Sequence, residues 1–178
     1  MRAVLLVLAA CGGAAPPVTS PEPVAVALPP SEPCEPRTGG YPEGLHDRVQ
    51  FQDPATEKVG FKTKAGAVVI PAQYEMSYGF TPGGVAAVID GTTPFVHIDP
   101  AGKVVAKAYA FDNGPDYYQE GFARIVGADG KIGFLGETSG KVEIPPQYDD
   151  AAPFCNGKAQ VRIGAEAFEI DARGQRVK

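Results

Sequence analysis

Two stretches of this chain are copies of each other and decide its fold: KVGFKTKAGAVVIPAQYE, from Lys58 to Glu75, and KIGFLGETSGKVEIPPQYD, from Lys131 to Asp149. They begin about 73 residues apart. In both copies, two short apolar runs flank a turn that contains glycine, and the second run is rich in β-branched residues, which favour strands. Each copy therefore predicts a β-hairpin.

Weaker copies fill the intervals and reduce the repeat to about 37 residues. The segment FVHIDPAGKVVAKAYAFD runs from Phe95 to Asp112, and AFEIDARGQRVK closes the chain from Ala167 to Lys178. The turn glycines of the four copies are Gly66, Gly102, Gly140 and Gly174, at successive intervals of 36, 38 and 34 residues. Between them a Gly-x-Ala-x-aliphatic box recurs at Gly84, Gly121 and Gly157. Repetition at such a period indicates an array of supersecondary units.

The predicted fold class is all-β, with tandem degenerate repeats of about 37 residues that form short β-hairpins. We expect strands to end at Pro71 and Pro145, because proline cannot donate to a ladder. A repeated core layer is predicted from the aromatic residues Phe61, Phe95, Phe134, Phe168, Tyr74, Tyr109 and Tyr148. A half-copy at the start and a part-copy at the end favour closure into a barrel or propeller-like ring, which would remove exposed strand edges. An open array is the alternative.

This pattern resembles the WG-repeat (KWG-repeat) family, whose units combine Trp-Gly, an aromatic strand, Asp-x-x-Gly, Val-Ile-Pro, Tyr-Asp and Phe-x-x-Gly-x-Ala-x-Val. The resemblance covers residues from Tyr41 to Lys178. The tryptophan of the family's name is absent, and Val59 and Ile132 stand at its position. The resemblance implies repeated β-hairpins and an exported bacterial protein, and the family's biochemical function is generally unassigned.

The opening residues MRAVLLVLAAC resemble a bacterial lipoprotein signal peptide. Residues 1–10 are predicted to be that signal, and the resemblance implies that Cys11 is lipidated. The departure from the family is length, because ten residues are few for a signal. Residues 11–40 are rich in proline, alanine and glycine, which predicts a disordered tether. Residues 41–178 are the predicted β-repeat domain.

Charge and motifs exclude several functions. The net charge is −5 and the basic residues are scattered, so we expect no nucleic-acid partner. His46 and His97 have no partner at metal-ligand or triad spacing, and the alternation around His97 predicts a surface position. No nucleophile elbow, phosphate loop or dinucleotide fingerprint is present. We therefore expect no catalytic residue, no metal and no cofactor. A carboxylate-based glycan hydrolase stays as an alternative, because distant loops can assemble a carboxylate pair.

The middle repeat contains an irregular, acidic and aromatic segment, and the Tyr78 turn occupies the matching place in the repeat before it. Together they predict a binding loop for a sugar or a cation, made of Tyr78, Asp112, Asn113, Asp116, Tyr117 and Tyr118. The alternative is a solvated connection, since repeat arrays accumulate insertions at loops.

Cys34 and Cys155 are a candidate disulfide in an oxidising compartment, with free thiols as the alternative. The resulting hypothesis is an exported β-repeat protein that acts as a binding or scaffolding module in the bacterial cell envelope, at the outer membrane or the cell surface. It would contact the membrane through the lipid on Cys11, with an envelope protein or a glycan as partner. This hypothesis has two alternatives, a structural spacer without a ligand and the hydrolase mentioned above.

Overall fold

The computed structural model describes residues 34–37, 39–91 and 95–177, and in them the chain forms β-strands and no α-helix. The prediction of an all-β repeat fold is confirmed. The predicted signal peptide, Cys11 and the tether as far as residue 33 lie outside the described residues. A 3-10 turn, Leu45–Asp47, precedes the strands. No helix in the described ranges is long and apolar enough to cross a membrane.

Short strands follow one another along the chain: β1 Val49–Gln52, β2 Val59–Lys62, β3 Val68–Tyr74, β4 Met76–Phe80, β5 Ala86–Ile89, β6 Val96–Ile98, β7 Val104–Ala108, β8 Ala110–Phe111, β9 Gly114–Pro115, β10 Phe122–Val126, β11 Ile132–Gly136, β12 Val142–Tyr148, β13 Asp150–Ala151, β14 Lys158–Ile163 and β15 Glu166–Asp171. A seven-stranded sheet has the order β12-β11-β10-β7-β6-β5-β4, and two three-stranded sheets have the orders β1-β2-β3 and β13-β14-β15. β8 and β9 form a separate ribbon. The pairings are antiparallel, as hairpin repeats require.

Tight two-residue turns make several of these hairpins possible. Asp112 and Asn113 join β8 to β9 with φ of 46° and 63°. Glu120–Gly121 and Asn156–Gly157 have positive φ at both residues as well. Two consecutive positive φ values are the type I′ geometry, whose twist matches that of antiparallel strands.

The aromatic residues divide between two hydrophobic cores of matching composition. The first core contains Phe61, Ile70, Tyr74, Phe80, Ala86, Val88, Val96 and Ile98. The second contains Ile132, Phe134, Ile144, Tyr148, Ala151, Phe154, Ala159, Val161 and Ile170. A small cluster of Val85, Ile125 and Leu135 is buried apart from both.

The prediction of one repeated aromatic layer is wrong, because the packing unit is the interval of about 73 residues. Phe61 and Phe80 of the first core reappear as Phe134 and Phe154 of the second. The aromatic residues of the weaker copies do not belong to these cores. Phe168 only borders the second core, and Phe95 is buried outside both. Two sequence units are therefore needed to enclose one core.

β3 and β12 continue past their prolines, so the prediction that Pro71 and Pro145 end the strands is wrong. The register shifts between the pair Phe61–Ile70 and the pair Val59–Tyr74, which places Pro71 in a bulge. A residue in a bulge has no ladder hydrogen bond to donate, so the missing N–H of proline does no harm there.

These bulges explain the glycine that precedes the aromatic residue in the two strong copies. A Cβ on Gly60 would lie 2.6 Å from the carbonyl oxygen of Ile70, and one on Gly133 would lie 2.5 Å from that of Ile144. Only glycine allows the backbone of the bulge to approach so closely.

In the described residues the sheets remain open, so the predicted closure into a barrel or ring is not found. β1 pairs with β2 alone, and β15 pairs with β14 in a sheet of its own. The first and last strands do not meet, because each belongs to a different three-stranded sheet.

Candidate functional site

Residues 34–37 and 39–41 lie across the domain, and Arg37, Gly39, Gly40 and Tyr41 form one wall of a cavity. A disulfide joins Cys34 to Cys155, whose Cα atoms are 5.6 Å apart. The side-chain amide of Gln119 donates to the carbonyl oxygen of Cys34 at 2.7 Å, and the N–H of Arg37 donates to that of Tyr118 at 3.0 Å. This part of the predicted tether is therefore held on the domain.

A small polar network stabilises this wall. The hydroxyl of Tyr41 donates to Glu137 Oε1 at 2.9 Å, and Arg37 Nε lies 3.2 Å from the same oxygen. The guanidinium of Arg37 also lies 5.0 Å from the centre of the Tyr41 ring. Burial, and then the hydrogen bond to Glu137, raise the pKa of Tyr41 well above its usual range. Tyr41 is therefore a neutral donor at physiological pH.

The cavity has a volume of about 380 Å³ and lies between this wall, strands β4 to β6 and the segment after β9. Its lining is mostly apolar and includes four tyrosines, Tyr41, Tyr78, Tyr117 and Tyr118. Small-molecule sites in proteins combine such a lining with a few placed polar groups. The cavity therefore has the form of a ligand site.

His97 lines this cavity, and only 1% of its surface is exposed. The prediction of a surface position is therefore wrong. β6 is an inner strand of the seven-stranded sheet, where His97 lies opposite Ala87 and Ala106. Neither ring nitrogen has a hydrogen-bond partner among the residues that the structure describes. Burial lowers the pKa of His97 from 6.5 to about 4, so at neutral pH the ring carries one donor and one acceptor.

Tyr118 is the second unsatisfied group at the buried end of the cavity. It is 9% exposed, and in the described part of the chain its hydroxyl has no hydrogen-bond partner. Its ring lies edge-to-face on the ring of His97, with centroids 6.4 Å apart. Burial raises the pKa of Tyr118 far above its usual range, so this hydroxyl is neutral as well. The two residues that carry these three buried polar atoms, His97 and Tyr118, thus both line one cavity.

Asp116 also lines the cavity, but its carboxylate is occupied by Arg124. Arg124 Nε donates to Oδ2 at 2.8 Å, Nη2 donates to Oδ1 at 2.7 Å, and the Arg124 N–H donates to Oδ2 at 2.9 Å. Arg124 lies 4.2 Å from the centre of the Tyr109 ring and donates to the carbonyl oxygen of Ala151 at 3.1 Å. The ion pair is buried and holds the loop after β9 to the sheet. Asp116 therefore stabilises the loop that lines this side of the cavity.

The structure brings four residues of the predicted binding loop to the cavity and leaves two outside. Tyr78 and Tyr117 line it and are 44% and 41% exposed, while Asp116 and Tyr118 line it as buried residues. Asp112 and Asn113 form the tip of the β8–β9 ribbon and do not line the cavity.

Sequence reasoning missed His97, Arg37 and Tyr41. One signal for His97 was present, because it occupies the place before the turn glycine Gly102 that Phe61 occupies before Gly66. A polar residue where the repeat has phenylalanine points to a special environment. For Arg37 and Tyr41, the candidate disulfide between Cys34 and Cys155 was the sign that residues before the repeats return to the domain.

A second hollow, of about 490 Å³, adjoins the cavity. The two share Tyr41 and Tyr78, which lie between them. The second hollow is lined by more polar side chains, including Arg48, Gln50 and Gln52. Across the part of the chain that the structure describes, no group of three His, Cys, Asp or Glu side chains could hold a metal ion.

A family model described as a WG containing repeat matches residues 60–91 and 133–165. These ranges correspond to strands β2 to β5 and β11 to β14, which supply most residues of the two cores. No curated protein and no solved structure matches the chain.

Proposed function

The chain is a WG-repeat protein, and from this premise we propose that it is a ligand-binding module of the bacterial cell envelope, exported and held to the membrane by a lipid on Cys11. The observation that carries the binding role is the cavity with its three unpartnered polar atoms on His97 and Tyr118. Each buried polar atom without a partner costs about 1–3 kcal/mol. A ligand that forms hydrogen bonds with these atoms would remove this cost, so ligand binding explains why the cavity contains them.

Binding is favoured over hydrolysis by the engagement of the nearby carboxylates. Asp116 accepts three hydrogen bonds from Arg124, and Glu137 interacts with Tyr41 and Arg37. A glycan hydrolase needs two carboxyl groups facing the substrate about 5–10 Å apart. The cavity itself favours a binding module over a spacer, which would need no such opening.

Two features support the envelope as its location. The resemblance of MRAVLLVLAAC to a lipoprotein signal supports export and anchoring at Cys11. The Cys34–Cys155 disulfide supports an oxidising compartment, because such bonds persist outside the reducing cytosol.

In-cell crosslinking of the tagged full-length protein, followed by membrane fractionation, tests both parts of this proposal. We expect the wild type in the membrane fraction, bound to an envelope component, and the Cys11→Ser variant in the soluble fraction. The His97→Phe variant should remain in the membrane but capture less. A soluble wild type would contradict the anchor, and undiminished capture by His97→Phe would contradict the cavity as the binding site.

A further inference from the structure

We infer that the ligand is the end of an uncharged glycan, with one sugar ring in the cavity and the next in the adjoining hollow. This inference rests on the proposed function, because it names the chemistry of the ligand that the same cavity would take.

The charges around the cavity argue for an uncharged ligand. Of the charged residues that line it, Arg37 pairs with Glu137 at 3.2 Å, and Asp116 pairs with Arg124 at 2.7 Å. The groups left without partners, on His97 and Tyr118, are neutral. An ion buried beside them would lose its hydration without gaining an opposite charge.

The unpartnered atoms match hydroxyl groups in kind. Neutral His97 offers one donor and one acceptor, and the hydroxyl of Tyr118 offers both. A sugar hydroxyl likewise donates once and accepts, so two neighbouring hydroxyls can pair with one ring nitrogen of His97 and with the hydroxyl of Tyr118. An ether or ester oxygen only accepts, so it cannot donate to the acceptor nitrogen of His97.

The walls match the faces of a sugar ring. Tyr78 and Tyr117 are partly exposed at the cavity, and their rings offer apolar surface with a polar tip. A pyranose ring has C–H groups on its faces and hydroxyls at its edge, so its faces can pack on tyrosine while its edge reaches His97. The volume of about 380 Å³ is near the lower end of the range of about 300–1,000 Å³ for small-ligand sites, which suits one ring.

The adjoining hollow extends the site beyond one ring. It shares Tyr41 and Tyr78 with the cavity, so a chain that leaves the cavity can pass between these tyrosines into it. Gln50 and Gln52 line the hollow, and their amides can donate to and accept from hydroxyls. A small hydroxylated aromatic molecule would fill the cavity alone and gain nothing from this hollow.

Calorimetry and NMR on the mature full-length protein in detergent micelles test the ligand class. The probes are uncharged mono- and disaccharides of glucose, galactose, mannose and N-acetylglucosamine, with glucuronic acid, glucosamine and 4-methylphenol for comparison. We expect one uncharged disaccharide to bind at least about ten-fold more tightly than its own monosaccharide and the charged sugars. The ¹⁵N resonances of the His97 ring should shift on binding.

Three other outcomes would contradict either the glycan inference alone or the cavity as the binding site as well. If 4-methylphenol or a charged sugar binds most tightly and shifts the His97 resonances, the glycan inference falls and the binding module stands. If the disaccharide binds no better than its monosaccharide, the adjoining hollow is not a second subsite and the inference falls. If no probe moves the His97 resonances, both the glycan inference and the cavity as the binding site fall.

Matched variants separate the two subsites. Tyr118→Phe removes only a hydroxyl from the cavity and should weaken both sugars about ten-fold, whereas Tyr148→Phe, in the second core, should leave both affinities unchanged. Gln50→Ala should weaken the disaccharide by about three- to ten-fold and leave the monosaccharide unchanged. An equal loss for both sugars in Gln50→Ala would contradict the assignment of the hollow to the second ring.

Discussion

At the residue scale, His97 departs most from the repeat that surrounds it. The copy before it has Phe61 at this place, which packs in the first core. His97 instead lines the cavity, and its two ring nitrogens have no hydrogen-bond partner within the described ranges. Such a departure, costly to stability and located in a cavity, is the pattern expected of a residue that serves binding.

Replacing His97 by phenylalanine should stabilise the protein while it weakens ligand binding. The change keeps an aromatic ring of similar size and removes two buried nitrogens without partners. We expect the free energy of unfolding to rise by about 1–2 kcal/mol, measured by urea denaturation. His97→Gln keeps polar atoms in the same place and should not stabilise. A Phe variant less stable than the wild type would contradict this account of the cavity.

His97 should also make the protein less stable in mild acid. Its pKa is about 4 in the folded state and 6.5 ordinarily, so between these values the unfolded chain binds a proton that the folded protein refuses. The free energy of unfolding has its full value above pH 6.5. It falls as the pH decreases toward 4, by about 3 kcal/mol in all.

Urea denaturation at pH 7.0, 5.5 and 4.5 measures this effect. The other titratable groups around the cavity behave differently: the pKa values of Tyr41 and Tyr118 are raised, so they gain no proton in this range. Away from the cavity, the pKa of Asp149 is lowered by its hydrogen bond from Lys131, so its contribution to stability is lost only below about pH 4. His97→Phe should remove most of the slope, and an equal slope in this variant would show that another group causes it.

At the element scale, the proline bulges of β3 and β12 connect the sequence motif to the packing. In each strong copy an Ile-Pro step bends the strand, and a glycine on the neighbouring strand lies against the bend. The motif is therefore a contact between two strands. Its glycine and its proline depend on each other, although they stand 11 residues apart in the first copy and 12 in the second.

Gly133→Ala should destabilise the protein through this contact. The new Cβ would lie 2.5 Å from the carbonyl oxygen of Ile144, so the bulge of β12 would have to move. We expect a loss of about 1–3 kcal/mol in the free energy of unfolding, measured by urea denaturation. Gly40→Ala is the matched control, because a Cβ there meets nothing within 4 Å. Equal stability of the two variants would exclude close approach as the reason for this glycine.

At the scale of the whole molecule, the disulfide joins the segment before the repeats to the second half of the domain. Cys34 and Cys155 are 121 residues apart in sequence, so the bond closes a loop that contains the first core and the cavity. It brings Arg37 and Tyr41 to the cavity. The wall that they form is therefore a consequence of this long-range bond.

Replacing both Cys34 and Cys155 by serine should lower the stability and weaken ligand binding together. Loss of a cross-link over so long a loop is expected to reduce the free energy of unfolding by about 2–4 kcal/mol. Ligand affinity should fall as well, because the wall made by Arg37 and Tyr41 loses its attachment. Urea denaturation and calorimetry measure the two effects, and Cys11→Ser, which leaves this pair intact, is the control. Wild-type affinity in the double variant would contradict the role of the segment as a wall.

The sequence by itself determined the all-β class, the repeat and its turns, because hairpins depend on local features such as β-branched runs and glycine at positive φ. The sequence also predicted Tyr78, Tyr117 and Tyr118 as site residues, because they lie in irregular loops that interrupt the repeat. Three features became visible only in the folded chain: two units enclose one core, β12 continues past Pro145, and His97 is buried. Each of these depends on which strands and segments come together, and those contacts join residues far apart in the chain.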